Sequence, residues 1–588
     1  MKKSFITIAT LALIASFANA EQVRVVVSQD KVDNSLSVSA KSSMEKSLKV
    51  RSEKTCLMTT DGLREICVPT PNLSHVLSNS TSTKVPKQEY KTITVDADNI
   101  NQVIDTLNST GWYNSVEVDV IVSSNIKPAQ LADNANSIGA QSYDEPNDPM
   151  YGNQTYLHSE DRIGLEGRVH SNITQARSNI INKTAELGVA VLDSGFAEND
   201  ELQFTGGYSF VTVSGETRDD DYGLNEGQDP AACGMHGFGV SSAMLATFDD
   251  AQTIAGIING VNSYALRVMN CGTGYLSDTA AALDYLAKQN VDGAPMFTGS
   301  VQVANLSLGG QAAECPSYIQ SAIDNANEAG ITVVVAAGND TINVSGFTPA
   351  NCNGVVVVSS VSDSGELSSF SNYGDNTSIA AQGENILGFG DDEKRIYWWE
   401  GTSFAAPLVS ASVALAKRDA PNLSPSVMRW LIKNTTSVLP DLSGECETLG
   451  CGSGLLDANA LVLAAQKAEQ GDLSSIRHAL SGKSICDQQW YADYFNASAK
   501  LCSMYRVNFF DGFTKANTKF KLIRVVKGEN FEAGESILLT ELSSVLIQDI
   551  DTDSYDYGFK ICLNGECSVD TYTFDIDAEK MTTPSACN

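Results

Sequence analysis

The chain has 588 residues, 71 of them acidic and 39 basic, for a formal charge of −32. That length allows several domains, and so negative a chain is a poor partner for nucleic acid or an anionic membrane surface. The acidity reads as a solvated surface, with some acidic loops suited to calcium, a cation that takes oxygen ligands.

The chain opens Met1-Lys2-Lys3, runs apolar from Phe5 to Phe17 and reaches Ala18-Asn19-Ala20. A basic start, a short apolar stretch and an Ala-x-Ala site form a secretory signal peptide over 1–20, cut after Ala20. An extracellular product that passes through a periplasm is expected. No later apolar run is long enough to span a bilayer. Thirteen cysteines in an exported chain point to disulfides. Position favours Cys56 with Cys67, Cys446 with Cys451, Cys486 with Cys502 and Cys562 with Cys567. Cys233 with Cys271 and Cys315 with Cys352 would be longer links, and Cys587 is left over. No CxxC pairs with a second one, so a structural zinc site is not expected.

Residues 21 to about 86 are polar and rich in Ser and Lys. Lys91–Val95 then alternates as a strand, and Ile100, Val103, Ile104 and Leu107 have helical spacing. Val116–Val122 alternates again. This predicts a small α+β unit over about 88–123 within an N-terminal segment 21–145. From about Pro146 apolar strands alternate with helices. The strands are Leu187–Leu192, Ser263–Met269, Val301–Leu308, Ile331–Ala337 and Val355–Ser359. The helices cover Asp278–Gln289 and Cys315–Ala329. Such an alternation predicts an α/β domain over 146–466, with a parallel sheet and helices on both faces. Ser424-Pro425 starts a further helix, and another ends near Gln470. Residues 471–588 read as a separate β-rich domain, with strands at Phe520–Val526 and Ser536–Leu542. Asp549, Asp551, Asp553 and Asp556 crowd together there, but Ser554 and Lys560 break the EF-hand pattern.

Ligands of such sheets gather outside the carboxyl ends of the strands, where Asp193, Ser307 and Asn339 fall. Gly401-Thr402-Ser403 opens into an apolar helix that carries no charge before Lys417. A serine at a helix start lies beside unpaired N–H groups and the positive end of the macrodipole, a good place for a nucleophile that generates an oxyanion. Its base would come from five histidines. His75 lies in the N-terminal segment, and His158, His170 and His478 have no recognisable setting. His236 sits between glycines at the head of an apolar helix. Asp193, ending its strand, would fix the imidazole. The order Asp193, His236, Ser403 is that of one of the known serine-nucleophile arrangements.

With Val191–Gly195, Asn305–Gly310, Val335–Asn339 and Gly401–Pro407 in that order, the chain resembles the secreted bacterial subtilisin-family serine proteases, the subtilases. Pro146–Tyr151 resembles the start of that family's catalytic domain and Gly454–Ala458 its end. The unit at 88–123 is similar to the family's propeptide, which inhibits in cis and assists folding. The resemblance implies a monomeric serine endopeptidase, made as a self-processing precursor that acts on proteins or peptides. It implies Asn339 in the oxyanion hole. It implies substrate laid as an added strand between Gly272, Gly274 and the segment Leu306, Ser307, Leu308, Gly309, with Ala336, Ala337 and Gly338 lining a side-chain pocket. Structural calcium is allowed, with no metal ligands singled out and no other cofactor. Three residues depart from the family pattern: Phe238 stands for a small residue, Phe404 for Met and Leu408 for His. An α/β-hydrolase esterase would need Gly-x-Ser-x-Gly, which is absent. The remaining alternative is an inactive member of the fold that binds through its C-terminal domain.

Overall fold

The computed structural model describes residues 145–470 except 159–168, 184–185, 213–217, 224–234, 391–394, 438 and 440–442. It also describes 22–30, 50–51, 54–58, 65–69, 88–96, 100–110, 113, 115–124, 130–132 and strands between 504 and 573. The expected signal peptide, the cysteines at 233, 486, 502 and 587, and the aspartates at 549, 551 and 553 lie outside the described residues.

The N-terminal unit comprises β1 (Gln22–Asp30), β2 (Gln88–Asp96), α1 (Ile100–Thr110) and β3 (Ser115–Val118). β1 runs antiparallel between β2 and β3. This central strand comes from the stretch whose composition reads only as polar. Side chains alternate across a strand, and both faces of β1 are used. Val25 and Val27 pack with Ile93, Val103 and Leu107 in the unit's own core. Val26, between them, packs into a core cluster of the main domain.

Where alternation predicts one strand over 116–122, the chain makes two. β3 ends at Val118, and β4 (Ile121–Ser123) joins a different sheet. β5 is the pair Gln130–Leu131. The main domain then supplies β6 (Gly188–Ser194), α2 (His236–Leu245), β7 (Asn262–Asn270), β8 (Thr273–Tyr275), α3 (Leu276–Leu286), β9 (Val303–Leu306), α4 (Ser317–Glu328), β10 (Thr332–Ala336), β11 (Val355–Val361) and β12 (Ile379–Gln382). It closes with β13 (Ile386–Phe389), β14 (Ile396–Trp399), α5 (Thr402–Asp419), α6 (Pro425–Asn434) and α7 (Ala458–Glu469).

The large sheet has the order β12-β11-β10-β9-β6-β7-β8-β4. It is parallel from β12 to β7, and β8 and β4 are antiparallel additions. Apolar residues on both sides of each strand bury both faces. Val189 and Val191 meet α2, α5 and α7 in one core, whereas Ala190 and Leu192 meet α3 and α4 in the other. Ser424 Oγ accepts from the Val427 amide and caps α6, with Pro425 at its first position. β13, β14 and β5 form a separate antiparallel sheet.

The expected disulfides Cys315–Cys352 and Cys446–Cys451 are formed. Cys271 is also disulfide-bonded. Strand register sets Cys56 opposite Cys67 and Cys562 opposite Cys567. Toward the C-terminus, Thr518–Val526 pairs antiparallel with Glu535–Thr540 and with Tyr555–Leu563. Asp556 lies within the last of these strands.

Phe238 is fully buried and stacks on Phe389 with ring centroids 5.4 Å apart. The residue that departs from the family pattern is therefore a core residue. Phe238→Ala is expected to cost about 3–5 kcal/mol of stability, as other buried aromatic truncations do, with Phe238→Leu less harmful. Urea unfolding of the two variants measures this, and a loss below about 1 kcal/mol for the alanine variant would contradict the placement.

Candidate active site

Asp193 and His236 meet at the carboxyl end of β6, and Ser403 directly precedes Phe404, whose ring meets the imidazole; the three residues are 0%, 2% and 3% exposed. Asp193 is the penultimate residue of β6. Its Oδ1 accepts from the Ser194 amide at 2.7 Å and pairs with His236 Nδ1 at 2.7 Å. That contact leaves Nε2 as the working nitrogen of the ring. α2 must approach β6 closely to bring the ring there. A Cβ on Gly237 would lie 2.1 Å from the Ser194 carbonyl oxygen, so glycine after the base is a packing requirement. The imidazole meets the edge of Phe404 at 5.7 Å, and Phe404 stacks on Trp399 at 4.7 Å.

Ser403 is the second residue of α5. Gly401 precedes the helix at φ 140°, a backbone state that favours glycine. Pro407 lies inside the helix and has no N–H to give to the carbonyl four residues back, which is that of Ser403. Ser307 Oγ donates to this carbonyl at 2.8 Å instead. Ser307 is in turn held by Asn305 Nδ2 at 2.9 Å, and Ser410 Oγ donates to Asn305 Oδ1 at 2.7 Å. A buried polar chain thus ties the helix of Ser403 to β9. Ser403 Oγ donates to the Ser307 carbonyl at 3.3 Å, and among the described residues His236 Nε2 has no hydrogen-bond partner.

Asn339 follows β10. Its Oδ1 accepts from the Thr402 amide at 2.9 Å and the Thr402 hydroxyl at 3.0 Å, and Gly338 N–H donates to that hydroxyl at 3.1 Å. With the oxygen engaged, the amide NH2 is left for a ligand. Asn372 anchors the same loop: its Nδ2 donates to the Ala337 carbonyl at 2.9 Å, and its Oδ1 accepts from the Asp340 and Ile342 amides. Pro407, Ser410, Thr402 and Asn372 have no role in the sequence-level assignment. The proline within the helix at 404–416 is the one local signal that a carbonyl there needs an outside partner.

The cleft expected to hold an added strand contains the chain's own β4. Val122 faces Gly274, and Ser124 N–H donates to the Gly272 carbonyl at 3.0 Å. On the other side Ser123 and Gly309 exchange hydrogen bonds at 2.9 and 3.4 Å. Gly272, Gly274 and Gly309 thus touch the strand through their backbone. Leu306, Leu308 and Ala337 are buried in the core on the α3–α4 face, and Ala336 in the core on the α5 face. Among the described residues, no group of three or more His, Cys, Asp or Glu side chains is placed to hold a metal ion.

The N-terminal unit also supplies what α3 and α4 lack. Their N-cap residues, Tyr275 and Pro316, give no side-chain cap. Glu117 accepts from the Ser317 amide at 3.1 Å and its hydroxyl at 2.6 Å, and Asp119 accepts from the Ser277 amide at 3.1 Å and its hydroxyl at 2.6 Å. Two carboxylates thereby cap two helix N-termini of another unit. Arg24 of β1 lies between Asp119 at 3.3 Å and Asp278 at 3.5 Å, over the ring of Tyr275.

Residues 185–471 match the model of the subtilase family, Peptidase S8. The chain contains a subtilase-family domain. An extracellular protease of Xanthomonas campestris pv. campestris is 36% identical over 301 residues, covering 47% of this chain and 51% of its own length. An extracellular basic protease of Dichelobacter nodosus is 32% identical over 305 residues, covering 47% and 50%. Subtilisin DY of Bacillus licheniformis is 29% identical over 285 residues, covering 47% of this chain and 91% of its own. The chain thus spans about half the length of the first two relatives and nearly all of the third.

The contact between the subtilase domain and the N-terminal unit is expected to depend on pH. Burial pushes the Asp119 carboxyl from its ordinary 3.8 up to about 6, against the lowering pull of Arg24 and the Ser277 hydroxyl. Asp278 is raised in the same direction, again chiefly by burial. A raised carboxyl favours the docked state when protonated, so its cost appears as pH rises from about 4 through 6. Stability of a Ser403→Ala chain is expected to fall over that window, with a smaller fall in the Asp119→Asn double variant. Denaturant midpoints measured at pH 4.5, 5.5 and 6.5 test this, and parallel curves for the two chains would contradict it.

Proposed function

We propose that the chain is a secreted serine endopeptidase that cleaves polypeptides through Asp193, His236 and Ser403 and matures by cutting itself. The observation that carries this is the chain's own β4, hydrogen-bonded on both sides in the cleft that leads to Ser403. The 2.7 Å Asp193–His236 contact supports it. So do the names of the relatives, which are proteases, two of them extracellular. Among the described residues no helix is long and apolar enough to cross a membrane.

In this mechanism Ser403 Oγ leaves the Ser307 carbonyl, gives its proton to His236 Nε2 and attacks the substrate carbonyl carbon. Asp193 keeps the imidazole in the tautomer that can accept and stabilises the imidazolium. Negative charge develops on the carbonyl oxygen, where the Asn339 amide and the Ser403 N–H donate to it. In subtilisin itself, removing one such side-chain donor costs about 2.7–4 kcal/mol. His236 then protonates the leaving amine, and water hydrolyses the acyl-enzyme by the same steps in reverse.

β4 also supports a reading of the first substrate bond. Ser123 lies opposite Gly309 in antiparallel register, and Ser307, two residues before Gly309 in the sequence, is the partner of Ser403 Oγ. Counting two residues on from Ser123, we propose Asn125–Ile126 as the scissile bond. After the cut, residues 21–125 would remain docked as an intramolecular inhibitor, held by Val26, Arg24 and the two helix-capping carboxylates. Because α3 and α4 have no caps of their own, the same contacts would help the domain fold.

The test is to express the precursor, follow self-cleavage, and assay casein with and without a serine-directed inhibitor. Cleavage by the parent chain and none by Ser403→Ala is expected, whereas a Ser403→Ala chain that still matures by itself would refute the nucleophile. Thr402→Val loosens Asn339 and is expected to lower kcat about tenfold or more with little change in KM.

A further inference from the structure

The small sheet β13–β14–β5 has no part in the chemistry above. β14 nevertheless runs directly into the catalytic turn, since only Glu400, Gly401 and Thr402 separate Trp399 from Ser403. It is also firmly held. Trp399 stacks on Phe404, and its indole N–H donates to the Gly388 carbonyl at 3.2 Å. One edge of β14 pairs with β13. The other carries β5, from the stretch between the N-terminal unit and the subtilase domain. Tyr397 lies opposite Leu131, Trp398 opposite Gln130, and Ala132 N–H donates to the Ile396 carbonyl at 2.8 Å. Because the pairing is antiparallel, Gln130 lies at the end of β14 nearer Ser403 and Ala132 at the far end. The same chain thus pairs with β8 and Gly309 up to Ser124 and with β14 from Gln130.

We propose that the outer edge of β14 is a binding strand for substrate on the leaving-group side, and that residues 130–132 are its first occupant. It takes extended main chain beginning about five residues beyond the scissile bond. The inference rests on the self-processing reading of the site. A strand edge presents N–H and C=O groups that another extended chain can pair with. Pairing through the main chain tolerates many side chains, which suits an enzyme that meets varied polypeptides. Substrate held on both sides of the scissile bond is restrained in register and orientation before the bond is attacked. Substrates too short to reach β14 lose that restraint.

Antiparallel pairs alternate between hydrogen-bonded and non-bonded positions. The Ala132–Ile396 bond makes positions 130 and 132 face β14, and the N–H of 131 face away. This parity gives a test that separates docking from a general effect of proline. Full-length precursors carrying Gln130→Pro, Leu131→Pro or Ala132→Pro are compared with the parent for the rate of self-cleavage. Ala132→Ser, which keeps the amide, serves as the conservative control. Gln130→Pro and Ala132→Pro are each expected to slow cleavage about fivefold, the effect of one lost hydrogen bond. Leu131→Pro and Ala132→Ser should cut at the parental rate. Equal rates for all three proline variants, whether all normal or all slowed alike, overturn the binding strand. A parent chain that does not cut, or a Ser403→Ala chain that does, fails the underlying function instead.

Discussion

Pro407 cannot donate to the carbonyl of Ser403, and the active site is built around that missing bond. A free carbonyl in the first turn of a buried helix needs a donor. Ser307 supplies it, and in doing so fixes the segment that follows β9 against the start of α5. The consequences run in two directions. Asn305 and Ser410 lock the pair from behind, so the nucleophile is attached to the most buried part of the sheet. Gly309, two residues ahead, then has a set height above Ser403, and whatever chain pairs with Gly309 has its register set relative to the hydroxyl. One helix irregularity thereby couples the position of Ser403 to the position of the chain paired with Gly309.

The N-terminal unit uses the same economy of contacts. β1 is buried on both faces because it serves two contacts, Val25 and Val27 toward α1, and Val26 with Arg24 toward the subtilase domain. Glu117 and Asp119 end a strand of one unit and cap helices of the other. These carboxylates, with Arg24 between Asp119 and Asp278, lie only a few residues before β4. Docking of the unit and delivery of 121–124 to the cleft are therefore one event. A chain so arranged would, on the proposed reading, present itself as the first substrate.

Much of this was legible in the sequence, and the limits have physical causes. Continuous apolar runs before Asp193 and Asn339 located strands of the sheet. A glycine-flanked histidine and a serine at a charge-free helix start singled out the other two candidate groups. These signals are local. β1 was not legible, because Gln22–Asp30 gains meaning only from two partners found far along the chain. The run 116–122 alternates without a break, yet its residues divide between two sheets, since Asp119 and Val120 spend their polar groups on Ser277, Tyr318 and Leu276. Phe238 stands where the subtilase pattern has a small residue, two positions after His236. Only the packing reveals Phe389 beneath it. Pairing of β5 with β14 has almost no sequence signature, because it is made by main chain.

The proposed self-processing is tested most directly at the first bond cut. The Ser123–Gly309 register, counted on by two residues, points to Asn125–Ile126. Incubating the purified precursor and determining the N-terminus of the earliest large product by Edman sequencing or mass spectrometry tests that directly. The predicted first product begins at Ile126. A first product beginning at any other residue, or one formed equally well by the Ser403→Ala chain, would contradict this reading.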